Sequence, residues 1–315
     1  MGQQILVIGA GSIGRRHADN LAQLGAQAKL IGWRGFSARA LADLLAQGAD
    51  GVVIATATDI RLPLIEVCAA AGVPFYVEKP LAFRRAELTA ILTIAAPVAD
   101  RSLAGFMMRY HPAFRALAEA DLSDCFRFDF AIGHDVTQWR QNWLFSDSYA
   151  ARTEGGGVLL DLCHEIDMAA CLFPGLTLDA VHSLGHPAYP AVDMASRLHL
   201  TAANGASGTV AMDYLAPGLI RRATLCGQMV TRDFDFAAQS YRLTDAQGPH
   251  LLDLPLERNA MFLDAMRDFL ALIAGHPPSG IAHFPRLDHV QESCQLIATA
   301  WETRVFNGQV VKELP

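Results

Sequence analysis

Two short stretches of the sequence carry groups that could move a proton or hold charge on an oxygen atom. In the first, residues 74–77 have the apolar character of a buried strand and are followed at once by Glu78, Lys79 and Pro80. In open α/β sheets, ligands bind at the carboxyl ends of the strands, where these charges would lie. Lys79 is therefore the first candidate catalytic residue, whose ammonium group could hold or relay the charge of a developing alkoxide, with Glu78 orienting it.

The second stretch is residues 155–167, in which three glycines precede a predicted helix that carries Asp161, His164 and Glu165. Each residue of a helix turns by about 100°, so these three side chains share one face. A carboxylate beside a histidine raises the basicity of the imidazole and orients it, as a general base requires. His164 and Asp161 are thus candidate catalytic residues and Glu165 a candidate substrate ligand, while the glycines would let the backbone approach a ligand. The alternative is an amphipathic helix whose polar side faces water.

A glycine-rich motif follows the first predicted strand, residues 5–8. Residues 9–14 read GAGSIG and lead into a helical pattern that continues through Leu24. This strand–turn–helix context is the one that a dinucleotide-binding fingerprint requires, because the glycines allow a tight turn and the helix N-terminus attracts phosphate. The alternative is a plain turn between a strand and a helix. The predicted cofactor-binding residues of this motif are Gly9, Gly11, Ser12, Ile13 and Gly14.

The end of the second predicted strand, residues 28–33, bears on the choice of cofactor. An Asp or Glu at this place would hold the ribose 2′-hydroxyl of NAD, but the sequence has Trp33 and Arg34 instead. A carboxylate would repel a 2′-phosphate, whereas a guanidinium pairs with it and can stack on adenine. NADP is therefore predicted in preference to NAD, unless Arg34 is only a solvated turn residue. Thr56, at the end of the third strand, and Glu78 complete the predicted cofactor-binding set.

Aromatic and cationic side chains in two further places could bind a sugar. Arg109 lies where the chain leaves the predicted nucleotide sheet, and Trp139, Arg140 and Tyr149 lie in a long polar loop before the three glycines. Aromatic faces suit a sugar ring, and arginines suit a carboxylate or phosphate carried by it. For each aromatic residue the alternative is packing on the domain beneath the loop.

The elements that must position these groups alternate between strand and helix in the first half of the chain. Strand alternating with helix at this spacing predicts a parallel, doubly wound sheet. Besides the helix after the glycine motif, the predicted strands are residues 5–8, 28–33, 51–56, 74–79 and 102–106, and the predicted helices are residues 37–46, 62–71 and 84–95.

From about residue 124 the pattern changes to short alternating strands separated by turn residues, which predicts an antiparallel meander. Two amphipathic helices, residues 257–273 and 286–305, close this part. The predicted strands are residues 125–130, 193–201, 207–214, 222–226, 229–236 and 240–243.

Length and composition agree with two domains and exclude several classes of partner. The chain has 315 residues, which exceeds the usual size of one domain, and 52% hydrophobic residues, which is enough for a substantial core. A net charge of −7 without a run of Lys and Arg disfavours a nucleic-acid or anionic-membrane partner. No apolar run is long enough to span a membrane, and no signal peptide is recognised at the start.

The six cysteines and the histidines predict no metal site and no disulfide framework. The cysteines are scattered without a CxxC pair, as in the reduced thiols of a cytoplasmic protein. His182 and His186 are four residues apart, but they lie in a segment that reads as strand and loop, without a third ligand nearby.

Taken in order, the motifs at residues 9–14, 53–56 and 77–81 resemble those of the Gfo/Idh/MocA oxidoreductase family. Residues 105–112, GFMMRYHP, resemble the segment that joins the two domains of that family, and residues 155–167, GGGVLLDLCHEID, resemble its catalytic helix. Residues 139–150 with the following glycines are similar to bacterial members found near surface-sugar and sialic-acid pathways.

The resemblance implies a Rossmann domain, residues 1–120, followed by a substrate-binding and oligomerisation domain, residues 121–315. The predicted fold class is α/β, with an N-terminal doubly wound parallel sheet and a C-terminal α/β domain built on a large, mostly antiparallel open sheet. The resemblance also implies that Lys79 is the catalytic lysine and His164 the catalytic histidine, and that the substrate is pyranose-like or a cyclic polyol.

Three places depart from the family pattern, and the first is the region between Trp33 and Gly51, which holds one helix and no obvious further strand. Many members carry a proline and a histidine in the loop after a central strand, where this chain has Ala57 and Arg61. The aspartate and histidine of the catalytic helix are commonly four residues apart, but Asp161 and His164 are three apart, which leaves the role of Asp161 open.

The predicted function is that of a cytoplasmic NAD(P)-dependent oxidoreductase, which transfers a hydride between the cofactor and a secondary hydroxyl or keto group of a sugar, sugar acid or cyclitol. A homodimer or homotetramer through the C-terminal sheet is expected by resemblance. Two alternatives keep the fold: a glycosidase that uses tightly bound NAD for transient oxidation, and a nucleotide-sensing regulator without catalysis. A sensor would need neither Lys79 nor His164.

Overall fold

The first half of the chain forms a parallel sheet, because its strands are short apolar runs separated by helical segments. The computed structural model describes residues 2–139, 144–281 and 283–314. The strands pair in parallel in the order β2-β1-β3-β4-β5, and the interior strands are almost wholly buried, whereas the edge strand β2 is half-exposed. The five strands are β1 Gln4–Ile8, β2 Gln27–Ile31, β3 Gly51–Ile54, β4 Phe75–Val77 and β5 Leu103–Ala104.

The order of these strands creates a ligand-binding edge. After β1 the chain passes to β2 on one side, and it then crosses back to β3 on the other side of β1. The loops that follow β1 and β3 therefore diverge at the carboxyl ends of the strands, which is where open α/β sheets bind ligands. The connecting helices are α1 Ser12–Gln23, α2 Ala38–Leu45, α3 Arg61–Ala70 and α4 Arg85–Ala95.

The second half of the chain forms a nine-stranded sheet in the order β13-β12-β11-β10-β6-β9-β8-β7-β14. All neighbouring strands are antiparallel except β6 with β9 and β7 with β14, which are parallel. Buried and half-exposed residues alternate along β8 and β9, so one face is covered and the other is open. The strands are β6 Cys125–Gly133, β7 Thr177–Gly185, β8 Ala195–Thr201, β9 Ser207–Asp213, β10 Ile220–Gly227, β11 Thr231–Asp235, β12 Ser240–Asp245, β13 Gly248–Leu252 and β14 Val305–Gln309.

The covered face of this sheet carries a helix that is buried along its whole length. Every residue of α7 is buried, and the helix packs on β6 and β9. Three of its buried side chains are polar, those of His164, Glu165 and Asp167, and the remaining six residues are apolar. The helices of the second half are α5 Pro112–Ala118, α6 Val158–Asp161, α7 His164–Leu172, α8 Arg258–Ile273 and α9 Gln291–Thr303.

Two compact units result, and each takes in two separate stretches of chain. The first unit consists of Met1–His111 with Glu257–Cys294, and the second of Pro112–Leu256 with Gln295–Pro315. Within the first unit α8 packs against α1, and the ring of Phe262 lies 6.1 Å from the ring of His17. Residues 257–294 thus belong to the same unit as the parallel sheet, although the domain boundary predicted from the sequence placed them in the second domain. The functional roles predicted for residues 1–120 and 121–315 stay predictions.

The predicted fold class is confirmed, and the strands and helices predicted for the first half lie within two residues of those observed. The single meander predicted for the second half was wrong, because β6 lies between β9 and β10 and splits the strands into two antiparallel groups. The last helix was predicted to reach residue 305, but α9 ends at Thr303 and Val305 begins β14. In the described part of the chain, no helix is both long and apolar enough to cross a membrane.

Candidate functional site

The loop between β1 and α1 has the shape of a phosphate-binding turn. Gly9 has a φ of +115°, and a Cβ added there would lie 2.3 Å from the carbonyl oxygen of Ala55. A Cβ added to Gly14 would lie 1.8 Å from the carbonyl oxygen of Gly9, so the first turn of α1 packs directly on the loop. At Gly11, by contrast, an added Cβ would meet no atom within 4 Å. The middle of the loop is therefore open to an approaching group.

The start of α1 suits an anion. The helix begins at Ser12, directly after the loop, and has no acidic residue in its first turn. Ser12 is exposed and Ile13 is half-buried. The backbone N–H groups at a helix N-terminus and the helix dipole both favour phosphate. The residues present thus fit a dinucleotide, whose pyrophosphate these loop and helix residues would hold.

Trp33 and Arg34 lie in a tight turn after β2. The Phe36 N–H donates to the Trp33 carbonyl over 2.9 Å, and Gly35 has a φ of +76°. Trp33 is 36% exposed and Arg34 is exposed, so both side chains are accessible to a ligand. This placement is compatible with a contact to the adenosine 2′-phosphate and with a solvated turn, so the preference for NADP stays a prediction.

Hydrogen bonds of Arg61 connect the loop after β3, which contains Thr56, with the loop after β4. The buried Thr56 uses its hydroxyl to donate to the next carbonyl along the chain over 3.2 Å. The buried guanidinium of Arg61 donates to the Thr56 carbonyl over 2.8 Å. It also donates to three consecutive carbonyls of the second loop, those of Glu78, Lys79 and Pro80. Arg61, a departure from the family pattern, thus touches the loop that carries the candidate lysine.

Glu78 is bonded to the helix that begins at the glycine loop. Its Oε1 accepts a hydrogen bond from Nε2 of the buried His17 over 2.7 Å, and the Tyr76 hydroxyl donates to the same oxygen over 3.4 Å. Burial raises the pKa of Glu78. The hydrogen bond and charge of His17, together with the charges of Lys79 and Arg61, lower it by more, so the pKa lies below its ordinary value. Lys79 is half-buried and follows Glu78 directly.

His17 belongs to the candidate site through its bond to Glu78, and it was not predicted from the sequence. The buried face of α1 consists of Gly14, His17, Asn20 and Leu21, which follow helical spacing. A signal therefore existed, since a histidine falls on the apolar face three residues after the last glycine of the fingerprint. Its partner Glu78 lies 61 residues away, and no local pattern joins the two.

Replacing Glu78 by glutamine is expected to destabilise the protein at neutral pH and to do so less in acid. A hydrogen bond to a charged group contributes about 1.5–3 kcal/mol. Because the pKa of Glu78 is lowered in the folded protein, its contribution is present above the unfolded pKa of about 4.3 and is lost as the pH falls through the folded value. Urea unfolding at about pH 7, 5.5 and 3.5 measures the difference between wild type and variant. The exposed Glu66 of α3, changed to glutamine, is the control. A difference that grows towards acid pH would contradict the assignment.

Asp161 ends the short helix α6, and two tyrosines of the second unit hold its carboxylate. The Tyr149 hydroxyl donates to Oδ1, and the Tyr214 hydroxyl donates to Oδ2 over 3.1 Å. Tyr149 is 48% exposed, whereas Tyr214 is completely buried. Burial, reinforced by the charge of Asp161, raises the pKa of Tyr214 well above its ordinary value, so this residue remains a phenol donor. Tyr214 was not predicted, and Tyr149 was predicted to bind substrate.

The prediction of one helix carrying both Asp161 and His164 was wrong. α6 ends at Asp161, α7 begins at His164, and Leu162 between them has φ −107° and ψ 31°. A rotation of about 100° per residue therefore does not relate the two side chains. His164 is buried in the first turn of α7.

Glu165, predicted to bind substrate, forms a buried ion pair. Its side chain is completely buried, and Oε1 accepts from Nε of Arg221 in β10 over 2.6 Å. A buried carboxylate with an arginine partner is typical of a structural ion pair as well as of a binding site. Its role in substrate binding stays a prediction.

The glycines before α6 approach another part of the same unit. Gly157 has a φ of +98°, and a Cβ added there would lie 2.0 Å from Oδ1 of Asp193. The other oxygen of the buried Asp193 accepts from the Leu159 N–H and from the Ser196 hydroxyl, each over 2.9 Å. This carboxylate therefore caps α6. Oδ1 also lies 3.5 Å from Nε of Arg304. Burial raises the pKa of Asp193, and the charge of Arg304 opposes that rise.

Arg109 and Trp139 were predicted to contact substrate, and both lie against neighbouring side chains. Arg109 is 4% exposed, and its guanidinium donates to the His283 carbonyl over 3.4 Å and to the Ser293 hydroxyl over 3.2 Å. Trp139 is half-buried, with its ring 5.5 Å from the ring of Tyr214. These contacts account for the burial of both residues, and their contact with substrate stays a prediction.

Arg140 lies outside the described residues, together with residues 141–143. Among the residues that the structure does describe, no group of three or more His, Cys, Asp or Glu side chains is placed to hold a metal ion.

Comparison with known protein families finds a match in the middle of the chain. Residues 115–229 match the model of the GFO/IDH/MocA C-terminal domain. This segment contains α6, α7 and strands β6 to β10. Among curated proteins, the sequence comparison finds no match.

Solved structures resemble this one over nearly its whole length. UDP-N-acetylglucosamine 3-dehydrogenase from Acidithiobacillus ferrooxidans has 21% sequence identity and a TM-score of 0.75, over 96% of this chain and 97% of that chain. An inositol dehydrogenase homolog from Azotobacter vinelandii, complexed with NAD+, has 15% identity and a TM-score of 0.80, over 96% of each chain. Levoglucosan dehydrogenase, in complex with NADH and levoglucosan, has 17% identity and a TM-score of 0.74, over 96% of this chain and 97% of that chain. At these identities the similarity establishes the fold.

Proposed function

We propose that this chain, a member of the GFO/IDH/MocA family by its C-terminal domain, is an NAD(P)-dependent oxidoreductase. It transfers a hydride between the nicotinamide cofactor and a secondary hydroxyl or keto group of a sugar, sugar acid or cyclitol. The names of the similar solved structures, which include dehydrogenases of a nucleotide sugar and of levoglucosan, support this class of substrate.

One observation carries the proposal: the candidate lysine and the dinucleotide loop belong to the same edge of one sheet. The glycine loop follows β1, and Lys79 follows β4, two strands away in the order β1-β3-β4. The hydrogen bond from His17 to Glu78 ties α1 to the residue before Lys79 over 2.7 Å. An ammonium group at this edge lies where ligands of such sheets bind.

A bound nicotinamide would supply the hydride acceptor when an alcohol is oxidised. The chain must then remove the hydroxyl proton and stabilise negative charge on the oxygen as the carbonyl forms. We assign the proton to the imidazole of His164 and the charge stabilisation to the ammonium of Lys79. Asp161 is fixed by its two tyrosine donors in the same unit as His164.

Replacing Arg34 by aspartate is expected to shift the cofactor preference from NADP to NAD. A guanidinium pairs with a 2′-phosphate, whereas a carboxylate repels it and can accept a hydrogen bond from the 2′-hydroxyl. We expect the ratio of NADPH to NADH affinity to fall by about tenfold or more, since a close charge contact is worth about 1.4 kcal/mol or more. Calorimetric titration with both nucleotides measures this ratio.

The control for this change is Arg101→Asp. Arg101 is half-buried, and its guanidinium makes a solvent-exposed hydrogen bond to the Gly72 carbonyl. The control therefore changes the net charge of the chain by the same amount without altering the turn after β2. A ratio that stays the same in Arg34→Asp, or that falls equally in both variants, would show that Arg34 is only a solvated turn residue.

The proposed function is tested by titrating the protein with NADPH and NADH and then screening substrates at 340 nm. The first compounds are UDP-N-acetylglucosamine, inositol and levoglucosan, followed by sugar acids. Tight nucleotide binding with a substrate-dependent change in absorbance is the expected result. Tight binding without any such change, accompanied by release of a glycosidic leaving group, would favour the NAD-dependent glycosidase. Tight binding with neither signal would favour a nucleotide sensor.

The open face of the nine-stranded sheet remains the proposed surface for a homodimer or homotetramer. Sedimentation equilibrium measures the oligomeric state directly. A monomer at micromolar concentration would contradict this part of the proposal.

A further inference from the structure

We propose that Arg61 is a positioning residue for Lys79, holding the backbone from which the lysine side chain extends. This inference deepens the proposed function, and it rests on the role assigned there to Lys79. Arg61 itself is not placed in contact with substrate or cofactor.

The contacts of Arg61 bridge two loops at the carboxyl edge of the first sheet. Arg61 is the first residue of α3 and is 4% exposed. Nη2 donates to the Thr56 carbonyl over 2.8 Å, in the loop after β3. Nη1 donates to the carbonyls of Glu78 and Pro80, and Nη2 lies 3.5 Å from that of Lys79, in the loop after β4. One side chain thereby fixes the carbonyl groups of three consecutive residues centred on Lys79.

The main-chain acceptors of Arg61 show what this side chain holds in place. Its two terminal nitrogens reach carbonyl oxygens in both loops that border the ligand-binding edge. Its charge also contributes to lowering the pKa of Glu78, the residue before Lys79. The arrangement orders a short irregular segment that no helix or strand orders.

Only a guanidinium can make this set of contacts. Arginine presents five N–H donors in a planar fork, so it can serve carbonyls in two loops at once. Lysine offers a single nitrogen, and histidine offers two nitrogens on a compact ring. Loss of the fork would free the backbone around Lys79. A displacement of about 1 Å of a catalytic group can lower a rate about a hundredfold.

A double-mutant cycle on turnover tests whether Arg61 acts through Lys79. Arg61→Lys keeps the charge but removes the fork, and we expect it to lower kcat by about tenfold or more while NADPH affinity changes by less than about threefold. In the Lys79→Ala background the same change should lower kcat by less than about twofold, because the group that it positions is already absent. Losses that multiply in the double variant would overturn the proposal. So would an unchanged kcat in Arg61→Lys.

A second measurement does not depend on turnover and separates this proposal from the proposed function. The rate at which an amine-reactive acylating reagent labels Lys79, followed by peptide mass spectrometry, reports the freedom of the loop. We expect Arg61→Lys, and Arg61→Ala where it folds, to change this rate by about threefold or more. Arg101→Ala, which removes the exposed hydrogen bond to the Gly72 carbonyl, should leave it within about 1.5-fold.

The two measurements distinguish an error in this proposal from an error in the proposed function. If no substrate gives turnover but Lys79 labelling responds to Arg61, the proposed function is wrong and the positioning of the Lys79 loop is retained. If turnover is found and Lys79 labelling is the same in wild type and Arg61→Lys, the positioning role is wrong and the dehydrogenase assignment is retained. Rescue of Arg61→Ala turnover by free guanidinium would support the role of the fork.

Discussion

Replacing Lys79 by alanine is expected to lower kcat by about a thousandfold while leaving NADPH affinity within about threefold. The reason is the position of Lys79 in the first unit. Lys79 follows β4 at the carboxyl edge of the parallel sheet and is half-buried. The groups proposed to hold the nucleotide pyrophosphate belong to a different loop, between β1 and α1. Removing the ammonium therefore removes charge stabilisation at the reacting oxygen and leaves the glycine loop intact.

The control for this experiment is Lys29→Ala. Lys29 is an exposed lysine on β2 of the same sheet, so the control removes one positive charge from the same unit at a distance from the proposed chemistry. Calorimetric titration with NADPH and steady-state turnover are measured on both variants. If Lys79→Ala lost most of its nucleotide affinity but kept turnover at saturating nucleotide, Lys79 would be a cofactor anchor and the catalytic assignment would be wrong.

The first half of this fold could be predicted from the sequence because its signals are local. Each strand there is an apolar run, and each connecting helix has its own periodicity and boundary residues; Ser37, for example, caps α2 by accepting from the Ala40 N–H over 3.2 Å. The position of the glycine loop relative to β1 and α1 follows from the same local pattern. Lys79 could be found because a charged pair directly after an apolar run marks a strand end.

The candidate site of the second unit could not be derived in the same way, because long-range contacts determine it. The break between α6 and α7 separates Asp161 from His164, although local periodicity predicted one continuous helix. Asp161 is held by Tyr214, which lies 53 residues away. The glycine before α6 faces the carboxylate of Asp193, which belongs to a distant part of the chain. No pattern within a short window of sequence encodes such pairings.

These long-range contacts lead to the second prediction: replacing Asp193 by alanine is expected to destabilise the protein by about 3–5 kcal/mol. The carboxylate is completely buried and accepts from the Leu159 N–H and the Ser196 hydroxyl. The side chain of Arg304 is 8% exposed, so the substitution removes a carboxylate from beside a buried guanidinium. Two buried donors lose their acceptor at the same time, and each such loss costs about 1–3 kcal/mol.

The loss should appear as a lower midpoint of thermal unfolding, by about 10 °C or more, and as a lower urea midpoint at unchanged slope. The control is Asp233→Ala, which removes the carboxylate of a largely exposed pair with Arg242 in the same unit. Exposed ion pairs contribute about 1 kcal/mol or less, so this variant should unfold close to wild type. Equal destabilisation of both variants would contradict the view that burial makes the Asp193 contacts strong.

The Asp193→Ala variant also tests the role of the three glycines at residues 155–157. The sequence suggested that they admit a ligand, whereas the structure places the Gly157 backbone against Oδ1 of Asp193, where a Cβ would come within 2.0 Å. If the glycines serve this internal contact, Asp193→Ala loses stability and disturbs α6, the helix that presents Asp161. Turnover should then fall together with stability, and NADPH affinity should stay within about threefold, because the proposed nucleotide loop belongs to the other unit. A variant with wild-type stability and a raised KM for substrate would instead assign Asp193 and the glycines to substrate binding.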